Sequence, residues 1–168
     1  MNADANRKVW AEHCRCEFEL RDVEATLETM TDDPHVLNVP TGRGGRGVEG
    51  VRRFYADEFI GTFPDDIAIE SLGLAVGSAR IAEEVIMTFT HDRTMPWILD
   101  GIEPTGRRVT IPMLAVVGLR DDKIAYEHIW WDQASVLAQA AGLDTADLPV
   151  LGARQADLIR ELGDRGDP

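Results

Sequence analysis

Residues 108–133 read RVTIPMLAVVGLRDDKIAYEHIWWDQ, two apolar-rich runs joined by Asp121-Asp122. Side-chain alternation on both sides of an Asp pair predicts an antiparallel hairpin, one strand from Arg108 to Leu119 and the next from Lys123 to Gln133. With Asp121-Asp122 as the whole loop, Tyr126, His128, Trp130 and Asp132 stand opposite Val117, Ala115, Met113 and Ile111, and the two rows share a face. Glu127, Ile129, Trp131 and Gln133 then take the other face with Val116, Leu114, Pro112 and Thr110. Upstream, a period of two from Ile67 onward predicts two more strands, Ile67 to Val76 and Ala79 to Asp92, turning at Gly77-Ser78. That turn groups Glu83, Val85 and Met87 with Leu72, Glu70 and Ala68, and Phe89 and His91 continue the row. An antiparallel meander of four strands results.

Two helices precede it. Val9, His13, Cys16, Leu20, Val23, Leu27 and Met30 recur at intervals of three and four, the stripe of one amphipathic helix that Thr31-Asp32-Asp33-Pro34 ends. A short extended piece, His35 to Val39, leads into Pro40-Thr41-Gly42-Arg43-Gly44-Gly45-Arg46-Gly47. Its glycines lack the Lys-Ser/Thr of a phosphate-binding loop, so it reads as a flexible connector into a second helix, Val48 to Ile60, stopped by Gly61. A last helix starts near Ala134 and stops at Gly142, and the tail holds a short helix between Ala153 and Leu162. Helices on one face of a curved antiparallel sheet make an α+β fold, a cone-shaped barrel over residues 1–142 with a C-terminal arm over 143–168.

The chain has 168 residues, 44% of them hydrophobic, and a net charge of −13 from 17 basic and 30 acidic residues. That charge disfavours nucleic acid and anionic membranes as partners. The first ten residues lack the apolar core of a signal peptide, and no run approaches the ~20 apolar residues of a membrane span, so a cytoplasmic location is expected. Cys14 and Cys16 stand roughly 200° apart around a helix and cannot pair with each other. The four histidines show no metal-ligand spacing, and neither metal nor cofactor is expected.

The predicted inner face collects Tyr126, His128, Trp130, Asp132 and His91, and the helix stripe brings His13 over it. Apolar surroundings raise a carboxyl pKa, which makes Asp132, set against Ile111, the candidate general base. His128 lies roughly 13 Å from it along the strand, while His91 ends its strand about 10 Å away across the sheet, room for a substrate between them. Residues 92–108, with Trp97 among Pro96, Pro104 and Gly106, are long enough to form a lid. Simpler roles stand beside these: His13 paired with Glu17 one turn on, Asp132 as the cap of the following helix, and Trp130 and Trp131 as packing.

Val39-Pro40-Thr41-Gly42 with Gly47 and Phe54-Tyr55, then Phe89-Thr90-His91-Asp92, Pro104-Thr105-Gly106-Arg107, and the run from Lys123 to Gln133 form a set of stretches. Together they resemble the SnoaL-like polyketide cyclases of the nuclear transport factor 2-like superfamily. The resemblance implies a cone-shaped α+β barrel whose last strand ends in an acidic residue, here Asp132, serving as acid and base in an intramolecular aldol closure. The same elements are similar to limonene epoxide hydrolases, but Phe89 and His91 stand where an Arg and Asp would be wanted, and Ile129 where a second acid would be. The expectation is a cofactor-independent enzyme working next to a carbonyl, by aldol cyclisation or isomerisation, on a hydrophobic polyketide-like small molecule. Asp132, His91 and His128 would be catalytic, with His13, Tyr126, Trp130, Trp97, Phe89 and Met113 around the substrate. The alternatives are epoxide hydrolase-like hydrolysis and a non-catalytic small-molecule binding or dimerisation protein. Ile129, Trp131, Leu114 and Val116, placed on the convex face, predict a homodimer through that side.

Overall fold

The computed structural model of the chain describes residues 3–163. Six strands form one sheet in the order β2-β1-β6-β5-β4-β3. They are β1 (Met30–Asn38), β2 (Arg43–Arg46), β3 (Ala68–Val76), β4 (Arg80–Thr90), β5 (Arg108–Arg120) and β6 (Lys123–Trp131). The four-strand meander is present, and β1 extends it by pairing parallel to β6, from Met30 opposite Ile124 to Asn38 opposite Ile129. The fold is the expected mixed α+β arrangement of helices over a sheet.

The Gly-rich stretch is a strand, not the flexible connector its composition suggests. Arg43 to Arg46 pair antiparallel with Asn38 to His35. A Cβ on Gly44 would sit 1.9 Å from the Val36 carbonyl oxygen, and one on Gly45 would sit 2.3 Å from that of Gly50, so glycine is required by close packing. Pro34, read as a helix terminator, lies inside β1 where the pairing with β6 shifts register between Met30 and His35. A bulge tolerates proline because no ladder hydrogen bond is lost there.

The opening helix is also broken earlier than its stripe predicts. Helix α1 (Ala3–Cys14) widens into a π-helical turn at Arg15–Leu20, Arg21 takes a left-handed conformation at φ 53°, and α2 (Val23–Glu28) follows with Asp22 as its cap. The wide turn changes the helical phase, so Trp10, His13, Cys16 and Glu17 are buried while Leu20 is half exposed. The second helix repeats the device: α3 (Gly47–Arg53) passes into a π-helical turn at Phe54–Glu58 that buries Phe54 and Tyr55. Helix α4 (Pro96–Leu99) lies within the predicted lid, yet Met95, Trp97, Ile98 and Leu99 are all core residues.

On the other side of the sheet, α5 (Gln133–Ala140) and α6 (Arg154–Gly163) contact β5. Gln139 bonds both backbone groups of Thr110, and the Arg160 guanidinium meets the Glu70 carboxylate. No helix among the described residues is long and apolar enough to cross a membrane.

Candidate active site

The expected loop is there: Arg120 pairs with Lys123, and Asp121 and Asp122 both adopt positive φ, as a two-residue hairpin turn requires. One residue then reverses the face of β6. Leu119 faces Ile124 but Gly118 faces Tyr126, leaving Ala125 as a bulge. Beyond it Val117, Ala115 and Met113 oppose Glu127, Ile129 and Trp131, so these three turn into the cone and Tyr126, His128 and Trp130 turn out. Gly118 accommodates the bulge, since a Cβ there would sit 2.0 Å from the Tyr126 ring. The β3–β4 pairing is shifted likewise: Val76 opposes Ile81, a slip follows between Ser71 and Gly73, and Glu83 and Met87 face Leu74 and Ile69 in place of Leu72 and Ala68.

The inner faces of β1, β3, β4, β5 and β6, with the two π-helical turns and Trp97, enclose a cavity of about 340 Å³. Its wall is mainly apolar, with Phe18, Phe54, Phe59, Val85, Met87, Met113 and Ile129, and its polar groups include Glu17, Glu83, Glu127, Tyr55 and Asn38. The volume lies in the range of small-molecule sites.

His13 organises the carboxylates. The Thr29 hydroxyl donates to the Thr26 carbonyl oxygen, so at 2.6 Å it must accept from His13 Nδ1–H. His13 Nε2 lies 2.9 Å from Glu127 Oε1 and 3.2 Å from Glu17 Oε1, distances that call for a proton on this nitrogen too. Burial by itself would depress the His13 pKa, but Glu127 and Glu17 outweigh it and raise it to about 10, so the ring is an imidazolium. It stacks on Trp10 at 5.6 Å between centroids, a favourable place for a cation. Tyr55 donates its hydroxyl proton to Glu127 Oε1 at 2.9 Å. Burial pushes the Glu17 carboxyl up, with Glu127 adding to it and His13 opposing, so Glu17 is biased toward its protonated form. The cluster thus joins a cation, a hydrogen-bonded carboxylate and a second carboxyl whose pKa burial raises, in one apolar cavity. His13, Glu17 and Glu127 also place three ligand-type atoms within 4.8 Å of one another.

Of the residues predicted from sequence, Met113 and Trp97 line the cavity and His13 binds two of its carboxylates. Phe89 is fully buried in the core. His91 is buried at the end of β4 outside the cavity wall, with Nδ1 3.3 Å from the Thr105 hydroxyl; burial lowers its pKa. Tyr126, His128 and Trp130 stand on the outer face, where the His35 and His128 Nε2 atoms are 3.2 Å apart and the His35 ring stacks on Tyr126. Asp132 caps α5, accepting from Ala134 N, Ser135 N, the Ser135 hydroxyl and Gln155 Nε2. Burial would raise its pKa, but the bonds from Ser135 and Gln155 prevail and lower it, opposite to the direction a desolvated base requires.

Glu127, Tyr55 and Asn38 were missed. Tyr55 and Glu127 both lie within the stretches that carry the family resemblance, but only the bulge at Ala125 turns Glu127 inward.

The sequence profile of the SnoaL-like polyketide cyclases matches residues 8–140. Comparison with curated protein sequences finds no match. Similar solved structures include a protein from Jannaschia sp. CCS1 described as a SnoaL-like polyketide cyclase, 16% identical, with a TM-score of 0.69 over 84% of this chain and 94% of that one. AclR from Streptomyces galilaeus, described as a hydroxylase, is 15% identical at a TM-score of 0.66, covering 85% of this chain and 100% of its own. An NTF2-like protein from Burkholderia xenovorans LB400 is 11% identical at 0.64, covering 83% and 98%. At these identities the structures establish the shared fold alone. With four-fifths of its length matched by the family profile and the cone architecture in place, the chain belongs to the SnoaL-like polyketide cyclase family.

Proposed function

We propose that the chain is an enzyme that moves a proton at a carbon next to a carbonyl, on a hydrophobic small molecule held in the cone, with its own side chains as acid and base. The observation that carries this is Glu127, a 3% exposed carboxylate on the cavity wall with His13 and Tyr55 both at 2.9 Å. Glu127 accepts the proton as the C–H bond breaks, and that electron pair forms the enolate C=C while charge moves to oxygen. The His13 imidazolium compensates the carboxylate among apolar walls, where an isolated anion would be costly. Reprotonation at another carbon completes an isomerisation; attack of the enolate carbon on a second carbonyl, with Glu17 protonating the new alkoxide, completes an aldol closure.

The test uses 2-acetylnaphthalene in D2O and follows deuterium entry at its methyl group by NMR. Exchange above the buffer rate, abolished by Glu127→Gln, is expected; exchange no faster than buffer overturns the proposal.

The outer face of the sheet supports a homodimer as the working form. Leu114 and Trp130 are 41% and 47% exposed there, beside His35, Tyr126 and His128. Exposed apolar and aromatic side chains clustered on one sheet face are costly in water, and a two-fold dimer covers the same patch on both copies. The interface therefore uses Trp130, in place of the inward-turned Ile129 and Trp131.

A further inference from the structure

On the outer face of the sheet, away from the cone, two histidines from neighbouring strands meet. His35 is the first β1 residue paired with β6 beyond the register shift, opposite Tyr126, and His128 lies opposite Leu37. Their Nε2 atoms are 3.2 Å apart and their ring centroids 5.3 Å apart, so each ring turns this nitrogen toward the other. Tyr126 stands against both, stacked on His35 with centroids at 5.2 Å and 4.8 Å from His128, which restricts the two rings. All three side chains are partly exposed. The histidines are 93 residues apart, so no spacing motif reveals them and only strand pairing brings them together.

A neutral imidazole has one N–H and one nitrogen lone pair. With one ring protonated on Nε2 and the other on Nδ1, the contact is a hydrogen bond; with both protonated on Nδ1, two lone pairs face each other and call for a cation. Two imidazoles on one tetrahedral ion, each at about 2.0–2.1 Å, hold their nitrogens about 3.3 Å apart, and the observed separation fits. Imidazole nitrogen suits zinc, copper and nickel, whereas magnesium and calcium take oxygen. Two charged residues flank the pair, Arg46 opposite His35 on β2 and Asp33 two residues before it, and their charges are opposite. The net charge of −13 favours a cation. Among the described residues the group of three or more candidate ligands is His13, Glu17 and Glu127 in the cone, so the outer pair supplies two ligands and water completes the shell.

We infer that His35 and His128 form a two-histidine site for a zinc-type divalent cation, with both Nε2 atoms as ligands, that clips β1 to β6 on the outer face of the sheet. The ion joins the two strands just past the irregular start of their parallel pairing, between Met30 and His35. On binding, the proton shared between the rings moves from Nε2 to Nδ1 of its own ring, so both imidazoles stay neutral and the two lone pairs go to the ion. Both ligands come from one chain, so the site is independent of the dimer and of the role of Glu127.

The experiment titrates Zn²⁺ into the intact protein by calorimetry at neutral pH, after treatment with EDTA and dialysis. One ion per chain is expected. His35→Asn and His128→Asn should each weaken binding by about 10²-fold, and the double variant hardly further, because a chelate loses its effectively intramolecular second bond with either ligand. In 1H–15N spectra of the imidazoles, the Nε2 resonances of His35 and His128 should shift together on saturation while those of His13 and His91 stay in place. Zinc should raise Tm of the wild type and of neither single variant. Shifts at His13 in place of the outer pair put the ion in the cone and overturn the inference. Single variants that bind as tightly as the wild type overturn it, as do losses that simply add in the double variant, the mark of two independent histidines. Absence of binding at millimolar zinc overturns it too. If a variant does not fold, the wild-type spectra decide alone.

Discussion

Tyr55 and His13 converge on one atom, Glu127 Oε1, each at 2.9 Å. One partner comes from a π-helical turn and the other from the opening helix, so Glu127 is fixed from two sides by elements remote in sequence. Oε2 is held by neither. Glu127→Gln keeps the shape of the side chain while removing the base, and exchange should fall by about 10²–10⁴-fold without loss of the folded state. Tyr55→Phe removes one anchor; unfolding in urea should show a loss of about 1–3 kcal/mol.

The His13 cluster makes an alkaline limit. A histidine whose pKa rises from 6.5 to about 10 on folding contributes stability fully present below 6.5 and lost as pH climbs through 10. Glu17, also raised on folding, acts in the same direction: its contribution is complete below 4.5 and declines above it. The unfolding free energy should therefore fall between pH 6.5 and 10 by an amount of the order of a few kcal/mol, and a His13→Gln variant should show a much flatter profile. An unchanged profile in the variant would place the alkaline loss elsewhere.

Asp132 separates capping from chemistry. Asp132→Ala removes four hydrogen bonds at the start of α5 and should cost about 0.5–2 kcal/mol by thermal unfolding. Its lowered pKa means that this stability is present above the ordinary value of 3.8 and disappears as pH falls through the folded one. Deuterium exchange should survive the substitution; loss of exchange in a stable Asp132→Ala protein would return the base to that position.

Trp130 tests the outer face. Light scattering after size exclusion should give twice the 18.6 kDa chain mass, and Trp130→Glu should reduce it to a single chain by placing a charge in the apolar contact. A wild-type particle of 18.6 kDa refutes the dimer.

The −13 charge, the meander from Ile67, the Asp121-Asp122 turn and the helix placing His13 over the sheet were all legible in the residues, because period, turn chemistry and helical spacing are local properties. So was the inward row Val117, Ala115, Met113 of β5. What sits opposite that row was not legible. A strand has a period of two, so one unpaired residue, Ala125, exchanges the faces of everything after it. Nothing in the run from Lys123 to Trp131 decides this, since apolar and polar residues occur in both alternations; the choice is made where Tyr126 finds room over Gly118 and Glu127 finds Tyr55 and His13. The same holds for Glu17, whose direction depends on the π-helical widening after Cys14. The sequence by itself therefore determined the family, the α+β layers and a histidine at the centre, while the tertiary structure decided which carboxylates meet it, because burial and register are properties of pairs of elements and not of either one alone.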